Sequence, residues 1–115
     1  MQLLQKEIVR TLQGVIENAM DESDIYVDVE SGLIVVQHPT SLACFMTIAF
    51  SFGESSASFE VKTARLGKAD RPIEQLVIKT TIDFSNNQAF AVFYKTVGAE
   101  LRDGDLYDMG NPYYA

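Results

Sequence analysis

The chain has 115 residues, 47% hydrophobic and 22% charged, the size and make-up of one ordinary globular domain that can hold a core without disulfides or metals. Its net charge of −7 favours solubility and argues against a nucleic-acid backbone as the partner of the whole surface. A single cysteine, Cys44, excludes an internal disulfide, leaving a reducing compartment or a buried thiol, and there is one histidine, His38, and no tryptophan.

Residues 1–10 include Glu7 and lack an unbroken apolar stretch, so they do not read as a signal peptide. The longest nearly uncharged run, Leu33 to Gly53, contains His38-Pro39 and alternates like strands, not like a membrane helix. The expectation is a soluble cytoplasmic protein.

Gln2 to Met20 reads as an amphipathic helix. Leu4, Ile8, Leu12, Val15, Ile16 and Ala19 recur at spacings of three and four, with Lys6, Arg10, Gln13 and Glu17 on the other side. Gly14 sits inside it at a cost of about 1 kcal/mol in propensity; it is either tolerated or there for close approach of another element. The helix ends in the acidic cluster Asp21-Glu22-Ser23-Asp24, which opposes its dipole.

Ile25, Val27 and Val29 alternate with Tyr26, Asp28 and Glu30, as in a half-buried strand. Glu30-Ser31-Gly32 is a tight connection to a return strand, Leu33 to Gln37. After His38-Pro39-Thr40-Ser41, a third strand runs from about Leu42 to Phe52. Cys44, Met46, Ile48, Phe50 and Phe52 share one face; Phe45, Thr47, Ala49 and Ser51 share the other. Ser58 to Leu66 is a fourth strand, with Phe59 and Val61 inward. Ile73 to Phe84 is a fifth, with Leu76, Ile78, Ile82 and Phe84 on one face and Gln75, Lys79 and Thr81 opposite.

Ser85-Asn86-Asn87-Gln88 fits a capping box with Ser85 as the cap. Phe90, Phe93, Val97 and Leu101 follow at helical spacing, and Gly104 suits a helix end. The second helix is therefore about Asn86 to Arg102. Residues 105–115 form a tyrosine-rich tail with Tyr107, Tyr113 and Tyr114, read either as a loose terminus or as a docking segment. Sequential strands usually pair. The expected fold is an α+β two-layer sandwich in one domain, 1–115. A five-stranded antiparallel meander would carry an N-terminal and a C-terminal helix on one face.

Charge is unevenly spread. Residues 1–60 carry two bases and nine acids (−7), residues 61–80 five bases and two acids (+3), and residues 81–115 two bases and five acids (−3). The basic island is Lys62, Arg65, Lys68, Arg71 and Lys79. It reads as a solvated hairpin of mixed charge or as a contact for an acidic partner, such as the acidic face of a second copy.

Catalysis usually needs a nucleophile with a base, a metal cluster or two carboxylates in different environments. His38 sits at a strand end, where functional residues are presented, or is an ordinary loop histidine. Cys44 alternates with core positions and reads as inert packing. Asp21, Glu22, Asp24, Asp28 and Glu30 are dense enough for a hard cation but lack an EF-hand's spacing; a solvated acidic face is the simpler reading. No phosphate-binding glycine loop is present. No catalytic residue, metal ligand or cofactor is assigned.

A half-apolar second sheet face suggests a dimer or a ligand surface. The candidate surface residues are Phe45, Ala49, His38, Tyr107, Tyr113 and Tyr114. The first functional expectation is a non-enzymatic, homodimeric interaction module, an acidic adaptor like the small α+β chaperones or immunity proteins in size, charge and element order, with no motif behind the analogy. One alternative is a small-molecule binder or small enzyme with a pocket between sheet and helices lined by Phe50, Phe52, Phe90 and Phe93. Another is a divalent-metal protein using the 21–30 acids.

Overall fold

The computed structural model describes residues 3–19, 24–37, 44–66 and 72–103. Its elements are α1 (Leu3–Ala19), β1 (Asp24–Asp28), β2 (Leu33–Gln37), β3 (Cys44–Phe52), β4 (Ser56–Leu66), β5 (Pro72–Asp83) and α2 (Asn87–Asp103). The strands pair antiparallel in chain order, β1-β2-β3-β4-β5. This is the expected α+β meander with a helix at each end of the described chain.

One face of the sheet and both helices share a single apolar core. It contains Ile34, Val36, Met46, Ile48, Phe59, Val61 and Ile82 from the strands. Ile8, Val9, Leu12 and Ile16 come from α1, and Phe90, Phe93, Val97 and Leu101 from α2. Its centre is aromatic: the Phe59 ring stacks on Phe93 at 4.3 Å, and Phe90 meets Phe59 edge-on at 6.3 Å, geometries that suit the ring quadrupole. Thr63 is the one buried polar residue among those described, and its Oγ1 has no hydrogen-bond partner.

The α1 stripe differs from expectation at two places. Leu4 is exposed and Val9 is buried, because α2 lies along α1 and widens the covered arc. Gly14 faces open space; a Cβ there would meet nothing within 4 Å. The close approach occurs at Gly98 of α2, where a Cβ would lie 3.4 Å from Val15 Cγ1 and 3.3 Å from Arg102 Nη1.

In the β1–β2 connection, Asp28 Oδ1 accepts from the amides of Glu30 (3.1 Å) and Ser31 (3.2 Å), an Asx turn. These bonds, the Ser31 hydroxyl foremost, hold the Asp28 carboxyl below its ordinary pKa. Gly32 takes φ +68°, and its backbone presses on the Phe50 carbonyl, so a Cβ there would collide with it. The turn therefore starts earlier than expected, and Val29 leaves the strand alternation to stand exposed.

β5 departs most. Val61 pairs with Ile78 but Lys62 pairs with Leu76, so Val77 is an extra residue, a bulge. Beyond it the faces exchange. Leu76, expected in the core, turns outward and is exposed, while Gln75 takes the register position opposite Thr63.

The α2 cap also shifts by one residue. Asp83 Oδ1 accepts from the Ser85 hydroxyl (2.6 Å) and amide (2.9 Å). With Ser85 so engaged, Asn86 Oδ1 accepts from the Ala89 amide at 3.0 Å, making Asn86 the N-cap. The Ser85 bonds hold the Asp83 carboxyl below its ordinary pKa.

Candidate interaction surface

The second face of the sheet is covered by no described element, and its composition follows from the strand register. One row across all five strands reads Tyr26, Val35, Thr47, Lys62, Leu76. The next reads Asp28, Leu33, Ala49, Glu60, Lys79. A third reads Asp24, Gln37, Phe45, Ala64, Glu74. The face is thus divided. Its β1–β3 side mixes apolar positions, with Tyr26 exposed and Leu33 and Val35 half-buried, with Asp24, Asp28, Gln37 and Thr47, whereas its β4–β5 side carries both signs of charge.

The charges form a linked set. Lys62 Nζ lies 3.0 Å from Glu60 Oε1 and 3.7 Å from Glu74 Oε2, and Lys79 Nζ lies 3.7 Å from Glu60 Oε2. Lys62, with Lys79 second, holds the Glu60 carboxyl below its ordinary pKa. Glu60 and then Glu74 raise that of Lys62. All four groups reach solvent, so each pair adds little stability; together they pattern the surface. Small side chains beside them leave a hollow of about 330 Å³ lined by Ala49, Ser51, Ser58, Glu60, Lys79 and Thr81. Ser58 Oγ and Thr81 Oγ1 are hydrogen-bonded there at 3.0 Å.

Of the residues expected at this surface, Ala49 is exposed on it. Phe45 holds a register position on the same face, with its side chain outside the described residues. His38, Tyr107, Tyr113 and Tyr114 lie outside them altogether. In the basic island, Lys62 and Lys79 belong to the mixed-charge set. Arg65 is placed by its backbone opposite Cys44 and Ile73, and Lys68 and Arg71 lie outside the described residues, as does the Cys44 side chain. Tyr26, Leu33, Val35 and Leu76 were not singled out for this surface. Tyr26 was legible, since it alternates with Ile25 and Val27. Leu33 and Val35 were hidden in the unbroken run Leu33-Ile34-Val35-Val36, in which neither face is marked polar.

Among the described residues, no three of His, Cys, Asp and Glu gather to hold a metal ion. Of the acid cluster, Asp28 is committed to its turn, Glu30 is exposed beside it, and Asp21 and Glu22 lie outside the described residues. The expected pocket phenylalanines pack on other side chains: Phe50 on Phe52, Phe52 on Phe84, and Phe90 and Phe93 on Phe59. Between the helices a shallow groove of about 260 Å³ is lined by Ile8, Thr11, Phe90 and Tyr94, among others. Burial raises the Tyr94 pKa there, against a hydrogen bond with Thr11. No described helix is long and apolar enough to cross a membrane. No protein-family model, curated protein or solved structure matches the chain.

Proposed function

We propose that this domain is a non-enzymatic protein-interaction module, acting as a homodimer, which holds a partner polypeptide against the open face of its sheet in the manner of an acidic adaptor or chaperone. The observation that carries the reading is the uncovered row Tyr26–Val35–Thr47–Lys62–Leu76. It sets an aromatic ring and aliphatic side chains, the types that interface cores favour, beside a set of four linked charges suited to a polar rim. The packing of the phenylalanines into the core supports the same reading, because it leaves the apolar side chains outside the core as the surface to be covered. The −7 charge favours a partner segment that is apolar and basic, since complementary charge steers encounter and rejects acidic competitors.

The test uses synthetic peptides of mixed apolar and basic residues, followed by fluorescence anisotropy. Binding by the wild type and its loss in Tyr26→Ser combined with Val35→Ser, at an unchanged melting temperature, is expected. Peptides that bind both proteins equally, or neither at concentrations of about 1 mM (about −4 kcal/mol), would sink the reading.

A further inference from the structure

We infer that two copies of the chain associate through their β5 edges, strand against antiparallel strand. The two-fold axis lies between Leu76 and Val77, so that Glu74 of one copy lies opposite the partner's Lys79. The inference rests on the homodimer in the function proposed above and specifies where and how it forms.

β5 is the last strand in the sheet order and has twelve residues, whereas the opposite edge, β1, has five. No described strand pairs its outer side, so a long row of backbone donors and acceptors faces outward, a template for another strand. The same edge is apolar in both layers. Ile73 is 50% and Leu76 56% exposed on the strand, and Val92 is 59% exposed on α2. These are three of the seven large apolar side chains exposed among the described residues. Between strand and helix runs a groove of about 380 Å³, lined by Ile78, Ile82, Ala89, Val92 and Phe93 together with polar neighbours. A second copy brought to the edge about a two-fold axis would set its own groove against this one.

The sequence of β5 is complementary to itself in one register, which a two-fold contact requires. With the axis between Leu76 and Val77, Glu74 faces the partner's Lys79, Gln75 faces the partner's Ile78, and Ile73 faces the partner's Thr80. In a regular strand, positions 74 and 79 would point to opposite faces. The bulge at Val77 exchanges the faces beyond it, so Glu74 and Lys79 both lie on the open face, in the rows of Ala64 and Glu60. Pairing would then extend the charge set across the junction with signs alternating: Glu60, Lys62, Glu74, then the partner's Lys79 and the partner's Glu60. Within the ladder formed by residues 72–81, no like charges oppose each other in this register. A bulge and a lysine ordinarily discourage edge pairing. Here the axis passes through the bulge and each lysine meets a glutamate, so both features select this register over slipped ones. Pro72, which lacks an amide hydrogen, falls at the strand's first position, where the ladder ends. Five strands would become ten, with the two open faces continuous.

The test is sedimentation velocity on the full chain over a range of concentrations, for wild type, Glu74→Lys, Lys79→Glu and the double exchange. Melting curves would establish that each variant folds. The wild type is expected to dimerise, with a mass about twice 12.8 kDa. Each single variant should weaken the dimer about tenfold or more, because a like-charge pair then occurs twice per interface. The double exchange should restore it to within about threefold. A monomer at every concentration would overturn the inference together with the homodimer of the proposed function. A dimer unmoved by either single change would overturn the β5 edge alone, and loss of that dimer in Tyr26→Lys would place the interface on the open face.

Discussion

Replacing Thr63 with valine should stabilise the protein, although it removes a hydrogen-bonding group. Thr63 is fully buried, between Met46 of β3 and Gln75 of β5 in the register, and its hydroxyl has no partner. A hydroxyl withdrawn from water without a compensating bond costs about 1–3 kcal/mol by mutational measures. Valine matches the threonine shape, is equally suited to a strand, and replaces the orphaned oxygen with a methyl. The expected gain is about 1–3 kcal/mol. For a domain of this size each kcal/mol moves the melting temperature by about 4 °C, so Thr63→Val should melt about 4–12 °C higher. Urea unfolding should show a raised midpoint with an unchanged slope, the sign of altered stability and not of an altered denatured state. Thr63→Ser gives the opposite result: it keeps the hydroxyl, loses a buried methyl, and should cost about 1 kcal/mol. A Thr63→Val protein less stable than wild type would refute the reasoning, because the hydroxyl must then be satisfied in solution.

Phe93→Ala should destabilise by about 3–5 kcal/mol in the same assay, since its buried ring stacks on Phe59; a cost below about 1 kcal/mol would contradict its central place. Gly14→Ala, in open space within α1, should stabilise by about 0.5–1 kcal/mol. Gly32→Ala should cost about 1–2 kcal/mol for the left-handed backbone alone and more for the collision with the Phe50 carbonyl. The pH dependence has two limbs. Asp28, Asp83 and Glu60 have lowered pKa values, so their contributions are full above the unfolded values of 3.8, 3.8 and 4.5 and vanish as pH falls through the lower folded ones. Lys62 and Tyr94 are raised, so theirs are full below 10.5 and 10.0 and vanish as pH rises through the folded values. Urea midpoints across pH should fall at both extremes, with Asp83→Asn flattening the acid limb and Tyr94→Phe the alkaline one.

Element type and order were legible because the periodicities are clean. Met46, Ile48 and Phe50 mark one strand face, and Phe90, Phe93, Val97 and Leu101 mark one helix face; all are buried. What was not legible depended on choices between nearly equivalent local partners. Ser85 and Asn86 can each cap a helix. The decision fell to Asp83, whose carboxylate takes both Ser85 groups and leaves Asn86 for the Ala89 amide. Which of the two helical glycines sits at a close approach depends on where α1 and α2 cross, a tertiary fact: Gly98 meets Val15 while Gly14 meets nothing. The candidate surface was half legible. Ala49 and the position of Phe45 follow from alternation alone, whereas the charge set around Lys62 needed the bulged pairing of β4 with β5.

The bulge at Val77 can be understood from what a regular β5 would do. With Ile78, Thr80 and Ile82 facing the core, unbroken alternation would carry Leu76 and Glu74 to the same face. That places a carboxylate on the apolar side of the sheet, in the column of Val61 and Thr63, two fully buried residues. Moving an ionised carboxylate from water costs several kcal/mol even after relaxation, and the residue that the regular register would set opposite Glu74 is Arg65, near the end of β4, in place of Ala64. Leaving Leu76 exposed forgoes only about 1.5–3 kcal/mol of burial. The larger cost decides: one extra residue turns Glu74 out to reach Lys62 at 3.7 Å and takes Leu76 with it. The exposure of Leu76 and the outward turn of Glu74 thus come together, from the one extra residue. Deleting Val77 removes the bulge and restores the regular phase, so the deletion should cost more than the half-buried valine alone, and Glu74→Leu should recover part of the loss. Equal stability of the deletion with glutamate or leucine at position 74, in urea unfolding at neutral pH, would show that the carboxylate does not set the bulge.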